Sequence, residues 1–518
     1  MPQSILPQGK WMYWCWFRGG CLCSMRSSEH VMSIDVGSSS VRCALYDEAG
    51  GLVERTRTSF GYGFETTREG GATLDADKLC ELIFRAVDET LARAETREIS
   101  GIGLSTFWHG VLGVNRRGDP TTPVFTWADR RAAGAAEKLR QRLDEIAVHK
   151  RTGCMLHSSY LPAKLSWLSR SFPRQFEETV RWISPGEYLY LRLFGEAVVG
   201  TSMAAGTGLL DQNQTVWDTE LLNTLPVNVE QLSPVSDEPA RGLRGEFAQR
   251  WARLRDVPWF PALGDGACSN VGSGCVGRDR LALMVGTSGA IRMLWRASSV
   301  LPPAGLWCYR MDASRFVAGG ALSDGGNLVA WLRKTLRLPE PEETEEQLAT
   351  MEPDAHGLTF LPLLAGERGP AWADIANGTV AGLSLSTEPA EILRAAIEAV
   401  ALRFALVAEG LDAAFPDEAA GREVVATGGG LLASPTWVGI MADALGRPVT
   451  VSRVPEASSR GAALLAAEAL GGPRIEEVAA PLGETVEPDE GRYEAYRRAL
   501  ERQRDLYEAV VGNRKGGA

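Results

Sequence analysis

One carboxylate, Asp265, stands between two glycines, about twenty residues ahead of the run Val285-Gly286-Thr287-Ser288-Gly289, with the glycine-rich stretch Asn270-Val271-Gly272-Ser273-Gly274 between them. A lone carboxylate near a turn built of glycine and hydroxyl residues is the equipment for phosphoryl transfer to an alcohol. The carboxylate takes the hydroxyl proton while backbone N–H groups of the turn hold the transferring phosphate. Taken singly, Gly264-Asp265-Gly266 also reads as an ordinary turn. Partners elsewhere in the chain decide between the two readings.

The first partner is Ser33-Ile34-Asp35-Val36-Gly37-Ser38-Ser39-Ser40, followed by Val41-Arg42-Cys43-Ala44-Leu45-Tyr46-Asp47. Its pattern predicts a strand, a tight Gly/Ser turn and a second strand. Ala282 to Trp295, with Gly286, Thr287 and Ser288 at its centre, repeats that plan some 250 residues later. Either hairpin alone could be an edge turn. The two in this order predict a duplicated α/β architecture in which two phosphate-binding turns face each other across a cleft.

A third element stands near the C-terminus. Val424-Val425-Ala426 reads as a buried strand running into Gly428-Gly429-Gly430, after which Ser434 and Pro435 supply an N-cap and first helical residue for a helix that stops at Gly446. Strand, glycine turn and helix let a flat ligand lie on bare backbone, although three glycines also make a plain loop. Further helices are predicted from Asp77 to Ala94, from Glu456 to Leu470 with the small residues Gly461-Ala462-Ala463 at a close packing point, and around Tyr493, Tyr496, Leu500 and Leu506.

Length and composition agree. A chain of 518 residues suggests two domains; 45% hydrophobic and 23% charged residues describe a globular protein, and a net charge of −11 disfavours nucleic acid or an acidic membrane as partner. Nine cysteines without a C-x-x-C pair fit reduced thiols in the cytoplasm. The aromatic run Trp11 to Phe17 is too short to span a bilayer and lacks the marks of a secretory signal. Residues 1–30 are therefore read as an extension outside the fold, either a disordered one or an artefact of the start site, with Met25 or Met32 then expected as the start of translation.

Together these segments resemble the FGGY family of carbohydrate kinases over residues 31 to about 510. The C-terminal signature is complete: Gly378, Val380, Gly382 and Leu383, then Glu391-Ile392 and Ala395-Ala396-Ile397-Glu398; the N-terminal one is partial, at Lys164-Leu165-Ser166-Trp167-Leu168. The resemblance implies a two-domain actin/hexokinase-like fold: an N-terminal domain over 31–277, a C-terminal domain over 278–480, and a final helix and tail over 481–518. It places Asp265 on the catalytic base. It places Asp35 and Gly37, with Ser38 and Ser39 beside them, on the first phosphate motif, Gly286, Thr287 and Ser288 on the second, and Gly428, Gly429 and Gly430 on the nucleotide motif. It implies ATP and Mg²⁺, the metal positioned by Asp35 through water, with a homodimer left open.

Within the family the resemblance is to gluconokinases, through Ser105 to Gly110, Thr126 to Arg131, Thr152 to His157, the Val285–Arg292 run and Gly319 to Asn327. Gly110, Arg130, Gly200, Ala205 and Gly439 depart from the residues usual at those places. A polyol asks for side chains that donate and accept, and for aromatic faces against its C–H surfaces. Trp108, His109, Trp127 and Asp129 are the candidates, Lys164 is a further one, and Arg131 is the fork expected for an aldonate carboxylate. The same residues also fit core aromatics and a surface ion pair. The expected reaction is transfer to the C6 hydroxyl of D-gluconate, with a ketopentose or polyol as the alternative acceptor. A chaperone or sugar sensor on this fold fits less well, since no peptide-binding module follows and Asp265 is intact. P-loop kinases are excluded because no G-x-x-x-x-G-K-[ST] occurs.

Overall fold

The computed structural model describes residues 29–512. Its first sheet contains β1 (Glu29–Val36), β2 (Ser40–Tyr46), β3 (Thr58–Gly61), β4 (Glu98–Thr106) and β5 (Leu263–Gly264), in the order β5-β4-β1-β2-β3. Its second contains β6 (Arg280–Val285), β7 (Gly289–Arg296), β8 (Trp307–Arg310), β9 (Arg315–Leu322), β10 (Glu423–Thr427), β11 (Val449–Ser452) and β12 (Leu482–Val486), in the order β8-β9-β7-β6-β10-β11-β12. The five strands β9-β7-β6-β10-β11 repeat β3-β2-β1-β4-β5 in both order and direction. Three antiparallel strands come first and two parallel ones follow. The repeat glimpsed in two hairpins thus extends over two whole sheets.

Seven helices matter to the site: α1 (Ala76–Ala94), α2 (Asp265–Gly272), α3 (Gly326–Thr335), α4 (Pro389–Ala414), α5 (Pro435–Leu445), α6 (Ala457–Ala469) and α7 (Glu490–Tyr507). The predicted caps of α5 are present: the Ser434 side chain accepts from Trp437 N–H, and Gly446 closes the helix in the left-handed region. The Asp265 segment is a strand followed at once by a helix, so the carboxylate sits in the first turn of α2.

The lobes interlock more than a cut at 277/278 suggests. α6 lies in the second half of the chain, yet Ala462 and Leu464 join the core of the first sheet, and Ala463, Ala466 and Ala467 pack with Val31, Ala44 and Tyr46. At the other end, β12 pairs with β11, while Tyr496, Ala499 and Leu500 of α7 enter the core of the second lobe. Residues 481–507 therefore complete that lobe.

The expected N-terminal extension lies almost wholly outside the described residues, but its boundary moves. β1 begins at Glu29, and Val31 is fully buried. A chain started at Met32 loses one end of β1 and a buried valine, a loss of roughly 2–3 kcal/mol, whereas a start at Met25 keeps the strand. Thermal melts of the two truncations should show a lower midpoint for the Met32 start only. Equal midpoints would mean that Glu29–Val31 contribute nothing.

Glu398 of the C-terminal signature is structural. It accepts from Arg394 Nε at 2.5 Å and from Tyr496 Oη at 3.0 Å, and meets His356 Nε2 at 3.1 Å. Asp354, His356 and Glu398 are close enough to suggest a metal site, but Arg394 and Arg502 already neutralise the two carboxylates.

Candidate active site

Both Gly/Ser turns open into one cleft between the lobes, with a volume of about 320 Å³. In the first hairpin Gly37 N–H donates to Ser40 O at 3.0 Å, and Trp127 Nε1 donates to Ser38 Oγ at 2.9 Å. In the second, Gly286 N–H donates to Ser288 O at 2.9 Å, and the start of α3 holds the turn through Gly326 N–H to Gly286 O and Asn327 N–H to Thr287 O. Gly428, with φ +92°, needs to be glycine: a Cβ there would come within 2.5 Å of Val285 O. Gly429 presents open backbone. Gly428 and Gly429 line the cleft, while Gly430 packs behind them against Gly286 and Val285.

Asp265 lies on the cleft wall, its Oδ1 accepting from Gly266 N–H at 2.8 Å. Burial raises its pKa to about 6, against the attraction of Arg292 and with added repulsion from Asp35. The flanking glycines have a reason beyond the turn. A Cβ on Gly264 would fall 1.8 Å from the Trp108 indole, and one on Gly266 2.5 Å from it. The indole lies on bare backbone on either side of the carboxylate, with its Nε1 donating to Ser202 O at 3.1 Å.

Asp35 is buried. Its Oδ2 accepts from Arg42 Nη1 at 3.1 Å, while its Oδ1 has no hydrogen-bond partner. Burial raises its pKa more than Arg42 lowers it. A buried, unpartnered carboxylate oxygen near a second carboxylate and two phosphate-type turns fits a hydrated divalent cation.

His109 adopts φ +65°, and its Nδ1 lies 2.6 Å from Gly206 O. Burial lowers its pKa to about 3, so the ring is neutral. Nδ1 carries the proton toward that carbonyl, which leaves Nε2 as an acceptor. Lys164 sits behind the wall, donating to His109 O at 2.6 Å and Thr126 O at 2.8 Å; burial lowers its pKa to about 7.

Trp108, His109 and Trp127 line the cleft, as expected of sugar-side residues. Asp129, Arg131 and Lys164 do not. Asp129 is buried, accepting from Ala72 N–H at 3.1 Å and from Arg131 Nε at 3.0 Å. The Arg131 guanidinium lies 4.9 Å over the Trp167 ring. A fork already paired to a carboxylate and packed on an indole is not available to a substrate, so the expected carboxylate partner has to be found elsewhere. Sequence reasoning missed Ser159, Tyr160, Trp307, Tyr309 and Arg368, and gave Arg292 no role, yet all six line the cleft. Trp108 packs against Tyr309 with ring centroids 5.1 Å apart, and Tyr160 Oη meets Tyr309 Oη at 2.6 Å. These residues come from both lobes, and no local pattern marks them.

Residues 30–272 match the N-terminal domain of the FGGY family of carbohydrate kinases, and residues 281–470 its C-terminal domain. The chain belongs to this family. It is a carbohydrate kinase, a phosphotransferase. A gluconokinase from Bacillus subtilis (strain 168) is 29% identical over 461 residues, 86% of this chain and 88% of that protein. Among solved structures, a ligand-bound xylulose kinase from Lactobacillus acidophilus superposes with a TM-score of 0.85 and a gluconate kinase from the same organism with 0.84. Each is 27% identical and covers 93% of this chain and 98% of its own. Two kinases named for different sugars thus fit this fold equally well. No described helix is long and apolar enough to cross a membrane.

Proposed function

We propose that this kinase phosphorylates a sugar acid, D-gluconate, at its terminal C6 hydroxyl, with ATP as donor. The observation that carries the proposal is the charge of the cleft. Arg292 and Arg368 both line it, and neither has a carboxylate within ion-pair distance among the described residues. Each keeps a buried nitrogen without a partner, Nη2 of Arg292 and Nε of Arg368. Burying an unpaired guanidinium is costly, and a neutral ketose or glycerol would leave that cost in place. A substrate carboxylate removes it. The similarity to gluconokinases points the same way.

In this reading Asp265 accepts the proton of the C6 hydroxyl, and His109 Nε2 accepts from another hydroxyl of the chain. Trp108 and Trp127 present the apolar ring surface they keep in the cleft to the C–H groups. The N–H groups of the two turns hold phosphate oxygens, the backbone of Gly428 and Gly429 takes the adenosine, and Asp35 would hold Mg²⁺ through water. The metal, when bound, neutralises charge on the phosphates.

An ADP-release assay across gluconate, other aldonates, xylulose, ribulose, glycerol and erythritol tests the proposal. Gluconate should give the highest kcat/KM, and preference for a neutral acceptor would refute it. The pH dependence follows from Asp265. Only the ionised form accepts a proton, so activity should be level above about pH 7 and fall toward tenfold per unit below about 6. A profile still flat at pH 5 would exclude Asp265 as the base.

A further inference from the structure

We propose that Arg368 holds the substrate carboxylate at the end of the cleft away from Asp265, and that the segment 365–376 is a strap, pinned across the lobes by Asp374, that carries Arg368 there. The proposal rests on the sugar-acid reading and names the residue that reads the acid.

Two guanidinia are available, and they differ in place. Arg292 serves the reacting end. A Cβ on Gly266, the neighbour of the base, would lie 2.7 Å from Arg292 Nη1, and Arg292 exerts the largest favourable charge on Asp265. A carboxylate held there would bring C1 to the base and leave C6 remote, because an extended six-carbon chain spans about 6 Å. Arg368 acts on Asp265 more weakly than Arg292 does, and it also lines the adjoining cavity with Trp127 and Asp374, which neither Asp265 nor Arg292 reaches. It stacks 4.1 Å over the Trp127 ring and donates from Nη2 to Leu322 O at 3.2 Å, while its Nε is buried without a hydrogen-bond partner.

Arg368 belongs by sequence to the second lobe but works against the first, and the strap explains how. It leaves the second lobe after the strand Thr359–Leu361 and returns at Thr379–Ala381. At its near end Glu367 is fixed to that lobe by Arg403 and by Tyr507 Oη at 2.6 Å. At its far end Asp374, itself buried, is gripped by first-lobe groups: Arg140 Nη2 at 3.1 Å, His157 Nε2 at 2.9 Å, and the N–H and hydroxyl of Ser158. With both ends fixed, the guanidinium between them is held over Trp127 before any substrate arrives. Asp374 is a positioning residue and touches no substrate.

The test compares gluconate with D-glucitol, which carries CH₂OH in place of the carboxylate, by calorimetric Kd in the full chain. The wild type should bind gluconate the more tightly. Arg368→Met should weaken gluconate by on the order of 10–100-fold, the worth of a charged hydrogen-bonded pair, and leave glucitol and ATP within a few-fold. Arg368→Lys, which keeps charge without the fork, should fall between. Asp374→Asn should weaken gluconate by a smaller factor, and Arg368→Met/Asp374→Asn should be no worse than Arg368→Met alone. Equal weakening of both polyols, or weakening of ATP instead, overturns the assignment of Arg368. Additive effects in the double variant overturn the role of Asp374. A wild type that binds gluconate no better than glucitol removes the sugar-acid reading itself, and this assignment with it.

Discussion

Asp265→Asn is expected to bind both substrates almost normally and to lose about 10²–10⁴-fold in turnover, the usual contribution of a general base. The amide keeps the size of the carboxylate but takes no proton. Part of the loss will reflect poorer orientation of the hydroxyl, because a loose phosphoryl-transfer transition state asks for little proton removal. Either origin places the defect in kcat and not in KM. The same variant carries a second, opposite signature. The folded-state pKa of Asp265 lies above the unfolded value, at about 6. The stability linked to its protonated form is therefore complete below about pH 4 and is lost as pH rises through 6. At neutral pH the ionised carboxylate destabilises the fold by on the order of 3 kcal/mol, from a rise of roughly two units at about 1.4 kcal/mol per unit. Asn removes that burden, so the variant should melt higher than wild type at pH 8, with the difference closing toward pH 4. Near-normal turnover in a protein with that thermal signature would leave the carboxylate without a catalytic role.

How much of this was readable beforehand depended on whether a feature was local. Asp265, the two Gly/Ser turns and Gly428–Gly430 each carry their chemistry within a few residues. Strand alternation, capping and backbone freedom operate on that scale, and the structure brings these segments to one cleft. The duplication was visible only at its hairpins, because β4, β5, β10 and β11 are buried parallel strands whose pairing leaves no short-range trace. The sugar side was the least legible. Asp129 and Arg131 look like a polar recognition pair in sequence, yet a spacing of two residues lets them satisfy each other. Arg368 lies outside every segment singled out for the sugar. Only the strap, fixed by contacts such as Ser158 to Asp374 that span 216 positions, brings it to Trp127.

The glycine in α6 leads to the last expected result. α2 and α6 follow equivalent strands of the two repeats and cross where each has a glycine. A Cβ on Gly461 would stand 1.8 Å from Cys268 O, and one on Gly272 would stand 1.8 Å from Ala457 O. Both obstacles are helix backbone, so no side chain can swing aside and the helices must part. Overpacking typically costs about 1–3 kcal/mol, and more when nothing can give; Gly461→Ala should therefore lose at least about 3 kcal/mol by thermal or denaturant unfolding. Function should suffer beyond stability. Asp265 opens α2, and its carbonyl accepts from Ser458 Oγ of α6 at 3.2 Å, so separating the helices shifts the base relative to both turns and should lower kcat in protein that is still folded. Gly439→Ala supplies the control. That glycine is also inside a helix, α5, but nothing lies within 4 Å of its missing Cβ, and the same substitution should stabilise by about 0.5–1 kcal/mol through helix propensity alone. One chemical change is thus expected to act with opposite signs at two helical glycines, the difference being the carbonyl that faces one of them. If Gly461→Ala melts at or above wild type, close crossing of α2 and α6 is not what requires glycine there.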